Sequence, residues 1–314
     1  MTSTTAEREA EKQRLGDRIA DERRISIVVN TRSRKGKHLF DEACERFKAV
    51  GFTLDAAHAV PDPKHLDTRV CEVIAGGATL VAVGGGDGTI SSVSRHFIGK
   101  AAVLGVLPLG TANSFARSLG VPQDLQGAIE TLASGRVADV DLGRIDDHYF
   151  TNAAAIGLPA LIGETVPHGL KAVLGRVGYL GWAAYQLARL KPFECTLIED
   201  GQERRYSALE VRISNGSYLG GLEVAEEASV NSRDLTIQIV TGRSGWTLAK
   251  SWLLSAVGNG GGETLVSLRT PGLRIVTDPP MSVSVDGEVL SDTPIDVSVA
   301  RQLLKVMVPK DATP

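Results

Sequence analysis

The chain lacks most of what would tie it to metal, disulfide or nucleic-acid chemistry. Its three cysteines, Cys44, Cys71 and Cys195, stand alone without paired spacing or a nearby histidine pattern. That leaves out a zinc site and a disulfide framework, and it fits a reducing cytoplasm. No charge of one sign dominates: 34 Lys and Arg against 37 Asp and Glu give a formal net charge of −3. The basic residues are dispersed among acids after the first strand, so nucleic acid is excluded as a partner. No long apolar run is free of charge. The most apolar stretch, LKAVLGRVGYLGWAAYQLARL, contains Lys171, Arg176, Arg189 and several glycines, unlike a membrane span. It reads as a core helix, with membrane-surface contact as the second reading. The opening MTSTTAEREAEKQRLGDRIADERR holds six acidic and six basic residues and nothing like a signal peptide. Residues 1–24 are therefore expected to be a charged leader, helical or disordered. Internal repeats and low-complexity linkers are also missing. So are G-x-x-x-x-G-K-[ST] and G-x-G-x-x-G, which removes the P-loop and ordinary Rossmann readings.

What is present divides the chain in two, as 314 residues lead one to expect. Residues 25–136 alternate strand and helix signals: ISIVVN, the amphipathic Leu39–Val50, FTLDAAHAV, a helix near Lys64–Ala75, TLVAV, a helix from Thr89, and AVLGVLP. This predicts an α/β domain with a parallel sheet, in which ligands bind at the carboxyl ends of the strands. Residues 137–309 carry closely spaced short strands, such as YSALEVRISN, DLTIQIV and MSVSVDG, and predict a β-rich sandwich or barrel. Two helical segments, Gly169–Leu190 and Ser244–Val257, interrupt it. The last strand is free to return to the first domain, and the two domains are expected to share a cleft.

Three constellations carry the chemistry. In LVAVGGGDGTISSV an apolar strand ends in Gly84, Gly85, Gly86, Asp87, Gly88 and Thr89, and a helix follows. Glycines there permit close approach to the backbone, and free N–H groups at a helix N-terminus favour an anion, so phosphate is the expected guest. Asp87, embedded in that loop, is the candidate for magnesium or nucleotide. In PLGTANSFARSLG a second strand end, with Gly110 and Thr111, again opens a helix. Neighbouring βα units would set the two loops side by side, able to surround a triphosphate. The third is Asp286-Gly287-Glu288 after MSVSV, which alone is no more than a hairpin turn.

GGGDGT, PLGTANSFARSLG and VDGE, in this order and with an α/β half before a β-rich half, resemble the diacylglycerol kinase catalytic family of bacterial lipid kinases. The likeness runs from about Ile25 to Pro309. It implies an NAD-kinase- and phosphofructokinase-like first domain, ATP with its phosphates against Gly85, Gly86, Asp87, Gly88 and Thr89 and near Thr111, and Mg2+. It also implies nucleotide contacts from Asn30, Thr31, Ser33 and Arg34, which stand where the family has an N-P-x-S-G loop. The chain departs from the family in several places. Ser91 and Ser92 replace the N-E of GGDGTxNE, Ser114 replaces the aspartate of GTxND, and Asn231, Ser232 and Asp234 stand near the family's structural magnesium site.

Phosphoryl transfer needs charge neutralisation and alignment, and the attacking hydroxyl needs a proton acceptor. Asp286 is the first candidate. Glu288 is the second, on the same side if the turn stays extended. The reading is thus an ATP-dependent lipid kinase acting on a hydroxyl of a diacylglycerol or sphingoid lipid. It would be cytoplasmic and peripherally bound to the membrane surface that holds its substrate, with a homodimer left open. Two alternatives stay open: an NAD kinase-like small-molecule kinase, and a non-catalytic nucleotide- or lipid-sensing pseudokinase that has lost carboxylates at Ser92 and Ser114.

Overall fold

The computed structural model describes residues 5–32, 36–157, 187, 189–219, 222–223, 229–248 and 264–312. The chain divides into two compact units, Met1–Leu142 with Arg301–Pro314, and Gly143–Ala300. Helix Gly169–Leu190, in the most apolar stretch of the chain, lies largely outside the described residues. So does the end of Ser244–Val257, of which residues 245–248 are helical.

In the first unit the charged opening forms helix α1 (Thr5–Glu22), with Leu15 and Ile19 buried. Strand and helix then alternate: β1 (Arg24–Asn30), α2 (Gly36–Ala49), β2 (Thr53–Val60), α3 (Leu66–Ala75), β3 (Leu80–Gly85), α4 (Asp87–Ser94), β4 (Val103–Pro108), α5 (Ser114–Ser118) and α6 (Leu125–Ser134). The sheet is parallel in the order β4-β3-β1-β2. Every residue of β3 and β4 is buried, as a parallel sheet covered on both faces requires, whereas β2 at the edge alternates. Helix α6 comes so close to β4 that a Cβ on Gly105 would lie 2.8 Å from the Leu132 side chain. The carboxyl ends of β1, β3 and β4 are neighbours along one edge, and the Asn30 loop and the two glycine loops leave from them.

Strand β5 (Arg136–Ile145) carries the chain into the second unit, which is antiparallel: β6 (His148–Phe150), β7 (Ala153–Gly157), β8 (Phe193–Glu199), β9 (Gln202–Ser214), the short pair β10 (Tyr218–Leu219) and β11 (Leu222–Glu223), β12 (Leu235–Thr241), β13 (Leu265–Thr270), β14 (Gly272–Asp278), β15 (Ser282–Val285), β16 (Glu288–Asp292) and β17 (Ile295–Val308). The long β9 pairs with β8, β7 and β12. Alternate residues of these strands, Ile156, Val211, Ile213, Ile237 and Val283 among them, form one apolar core. Strand β17 begins against β14 and ends in the first unit beside β4, where Val306 pairs with Leu104.

Asp139 on β5 is buried, and burial pushes its carboxyl above the ordinary range, while Lys12, Lys305 and Arg8 pull it down. The folded chain therefore holds this proton more tightly than the unfolded chain. The linked stability is full below pH 3.8 and is lost as pH rises through the raised folded value. Asp139→Asn has no such proton, so urea unfolding should show the native chain losing ground to this variant as pH rises from about 4 to 7. A gap independent of pH would contradict that.

Candidate active site

The loop after β3 is built on close contacts that only glycine allows. A Cβ on Gly85 would lie 2.4 Å from Thr89 Cβ, because the first turn of α4 folds back over the strand end. Gly86 is the N-cap of α4 and supplies no side-chain cap, so the protein leaves this helix terminus open to an outside acceptor. Gly88 is exposed with open space around it, so it admits a ligand without being demanded by packing. Thr89 is nearly buried, and its Oγ1 accepts a hydrogen bond from Asn30 Nδ2 at 3.0 Å. Asn30 Oδ1 accepts from Arg32 N at 3.1 Å, so one side chain ties the end of β1 to the phosphate loop. Thr31 follows with its N–H on Val60 O at 2.8 Å. Ser33 and Arg34 lie outside the described residues.

The second loop meets the first directly. A Cβ on Gly110 would lie 2.4 Å from Gly86 Cα and 2.7 Å from Asn113 Oδ1, so the two glycines touch through their backbones. Leu109 N donates to Gly85 O at 3.0 Å. Thr111 is exposed at the lip of the loop. Asp87 bridges the two loops: its Oδ1 accepts from Phe115 N at 3.0 Å at the start of α5. No protein hydrogen bond to its Oδ2 occurs among the described residues. Of the positions where the family has acids, Ser92 donates to Thr89 O at 3.0 Å and Ser114 is buried. Neither is an exposed carboxylate.

Asn113 braces the second loop, a part that its sequence alone does not assign it. Its Oδ1 accepts from Gly110 N at 2.9 Å and its Nδ2 donates to Pro108 O and Gly110 O, both at 3.2 Å, with the backbone at φ +48. The signal was the asparagine itself, the residue besides glycine that tolerates the left-handed region and bonds its own turn. Asn113→Ala should lose these bonds and add strain of about 1–2 kcal/mol. Asn113→Gly should keep the conformation and recover that strain alone. Unfolding midpoints of the two variants check the order, and equal losses would contradict it.

In the second unit Asp286 and Gly287 form the turn between β15 and β16, at φ +46 and φ +93, with Val285 paired to Glu288. The turn is not extended, so strand alternation does not bring Glu288 to the side of Asp286. Glu288 is exposed. The Asp286 carboxylate folds back onto the segment before β7. Its Oδ2 accepts from Thr151 N at 2.9 Å and Thr151 Oγ1 at 3.2 Å, and its Oδ1 from Asn152 N at 3.2 Å and Ala153 N at 3.1 Å. Asn215 braces the same segment by donating to Thr151 O at 3.0 Å. Asp286 is therefore held rigidly in one orientation. Near β12, Asp234 lies 3.6 Å from Arg269, and Ser232 donates to the Asp234 carbonyl at 2.9 Å.

Residues 24–145 match the family model of the diacylglycerol kinase catalytic domain, and residues 152–308 match that of the YegS C-terminal NAD kinase beta sandwich-like domain. The chain belongs to the YegS and diacylglycerol kinase family. A "Probable lipid kinase YegS-like" of Klebsiella pneumoniae (strain 342) is 33% identical over 235 residues, covering 74% of this chain and 78% of that protein. A namesake from Enterobacter sp. (strain 638) is 30% identical over 293 residues, covering 91% and 96%. Among solved structures, a diacylglycerol kinase from Bacillus anthracis str. Sterne superposes with a TM-score of 0.73 at 23% identity, covering 91% of this chain and 97% of that one, which supports the fold. Membership in the YegS and diacylglycerol kinase family makes this chain one of a group of lipid kinases, with an α/β domain followed by a β-rich one.

Proposed function

We propose that this chain transfers the γ-phosphate of ATP to a hydroxyl of a lipid such as a diacylglycerol or a sphingoid lipid, presented at a membrane surface. The observation that carries the reading is the backbone contact of Gly86 with Gly110, which joins an uncapped helix terminus to a second glycine loop in one phosphate cradle. Backbone N–H groups around Gly86 and Gly88 take the phosphates, Thr111 closes the cradle at its lip, and Asn30 fixes Thr89 beneath it. Asp87 Oδ2 suits Mg2+, which commonly binds one or two carboxylates together with substrate phosphates. When bound, the cation neutralises charge on the transferring phosphoryl group.

Asp286 is assigned as the acceptor of the hydroxyl proton. Its rigid seat supports this role, since a base must be held in reach of the proton it takes. Glu288, exposed one residue past the turn, is the second candidate. Peripheral membrane contact is supported by apolar exposure in the β-rich unit, where Trp246 is 81% exposed and Val289 and Leu290 are also exposed. No described helix is long and apolar enough to cross a membrane.

An acceptor panel tests the proposal. With γ-labelled ATP and Mg2+, label should enter the organic phase from vesicles containing diacylglycerol, a sphingoid base or phosphatidylglycerol, and the acceptor that takes it names the substrate. Label appearing on NAD alone would favour a nucleotide kinase. ATP binding without transfer to any acceptor would favour a sensing protein that has lost catalysis.

A further inference from the structure

Away from the phosphate cradle, the first unit carries a thiol, an imidazole and a carboxylate in series. Asp67 and Cys71 stand one turn apart on α3, and His96 lies in the short turn Arg95–Phe97 that continues from α4. Cys71 Sγ is 3.3 Å from His96 Nδ1, and His96 Nε2 is 3.2 Å from Asp67 Oδ1. Arg95 holds the other oxygen of Asp67 at 2.5 Å. Asp67 Oδ1 is shielded from solvent, and its nearest contact is His96 Nε2, which carries the proton in the tautomer that pairs the two. Arg95 Nε, at 3.5 Å, donates to the same nitrogen in the other tautomer. A proton on Nε2 leaves Nδ1 as an acceptor aimed at the thiol. The arrangement is that of a nucleophile, a base and an orienting acid. The donors follow one another rather than converge, and no metal-binding cluster occurs among the described residues.

The other two cysteines lack such surroundings. Cys44 is half-buried and burial raises its thiol, and Cys195 is buried with its thiol pushed up to about 12. Cys71 is exposed.

We propose that Cys71 is a reactive thiol that exchanges with low-molecular-weight disulfides, with His96 as its base and Asp67 as the residue that positions the imidazole. The thiol passes its proton to His96 Nδ1, and the thiolate attacks one sulfur of the small disulfide. The Cys71 sulfur–sulfur bond forms as the small disulfide's own bond breaks. The leaving thiolate takes the proton back from His96. Cys71 is oxidised, the small molecule is reduced, and His96 ends neutral as it began. A second thiol reverses the step, so the modification is reversible.

Oxidised glutathione and peptide mapping by mass spectrometry test this at neutral pH. In the folded chain the mixed disulfide should form at Cys71 first, leaving Cys44 and Cys195 unmodified. Its rate should exceed that of Cys71 in the same chain unfolded in guanidinium, where His96 no longer stands beside the thiol. His96→Asn should bring the rate down to the unfolded level without moving the unfolding midpoint, and Asp67→Asn should remove part of the gain. A folded rate no higher than the unfolded one would overturn the proposal, and that comparison needs no variant. A His96→Asn chain that folds and exchanges at the native rate would overturn it equally.

Discussion

Asp286→Asn is expected to lower lipid phosphorylation by roughly 10²- to 10⁴-fold, the usual contribution of a positioned base, and also to lower stability. The second effect follows from the four donors that meet the carboxylate, Thr151 N, Thr151 Oγ1, Asn152 N and Ala153 N. An asparagine offers one oxygen and turns its own N–H groups toward two of those donors, leaving them unpaired at a cost of about 1–3 kcal/mol. Rate loss and stability loss can be separated. Thr151→Val removes one hydroxyl donor and leaves the carboxylate and three backbone donors in place, so it should cost stability of about 1 kcal/mol with turnover close to native. If Asp286 served the hairpin alone, Asp286→Asn and Thr151→Val would both reduce stability, and neither would slow the chemistry selectively in the fraction that remains folded. A stable, active Asp286→Asn enzyme would move the proton acceptor to Glu288.

Gly110→Ala should disable the phosphate cradle by a different route. The added methyl would meet Gly86 Cα at 2.4 Å and Asn113 Oδ1 at 2.7 Å, and neither can withdraw freely. Gly86 begins α4, and Asn113 is bonded to Pro108 and Gly110. The two loops must therefore separate. Overpacking of this kind costs about 1–3 kcal/mol, and the separation takes apart the surface on which the phosphates would lie. Calorimetry should show ATP affinity falling by an order of magnitude or more. Gly88→Ala is the matched control: its Cβ meets nothing within 4 Å, so the fold should tolerate it. Native ATP affinity in Gly110→Ala would remove this loop from the site.

These expectations show where the sequence was informative. Unbroken apolar runs ending in glycine marked β3 and β4 as buried parallel strands, because such strands are covered on both faces and show no alternation. Their loops were legible for the same reason, since the glycines answer to backbone contacts within one local unit. Asp286 was legible only as a position. Asp-Gly announces a turn, but nothing near it in the chain reveals that its carboxylate would bind the backbone of residues 151–153, more than a hundred residues earlier. Glu210 and Arg212 make the same point. Alternation in YSALEVRISN puts them on one side of β9, and solvent is the ordinary neighbour of such charges. Both side chains are instead fully buried and paired, with Arg212 Nη2 2.8 Å from Glu210 Oε2. Period two separates the faces of a strand but does not say what covers each. The series Asp67, Cys71 and His96 was equally hidden, because the histidine is supplied from another segment of the chain.

The most direct test pairs ATP labelled at the γ-phosphate with ATP labelled at the α-phosphate, each incubated with Mg2+ and lipid vesicles. Label should reach the lipid from the γ position and not from the α position in the native chain. Transfer should fall to background in Gly110→Ala, and in the folded fraction of Asp286→Asn it should fall by about 10²-fold or more. Lipid left unlabelled by native protein that binds ATP, or γ-label recovered on NAD in place of lipid, would contradict a lipid kinase built on these two glycine loops.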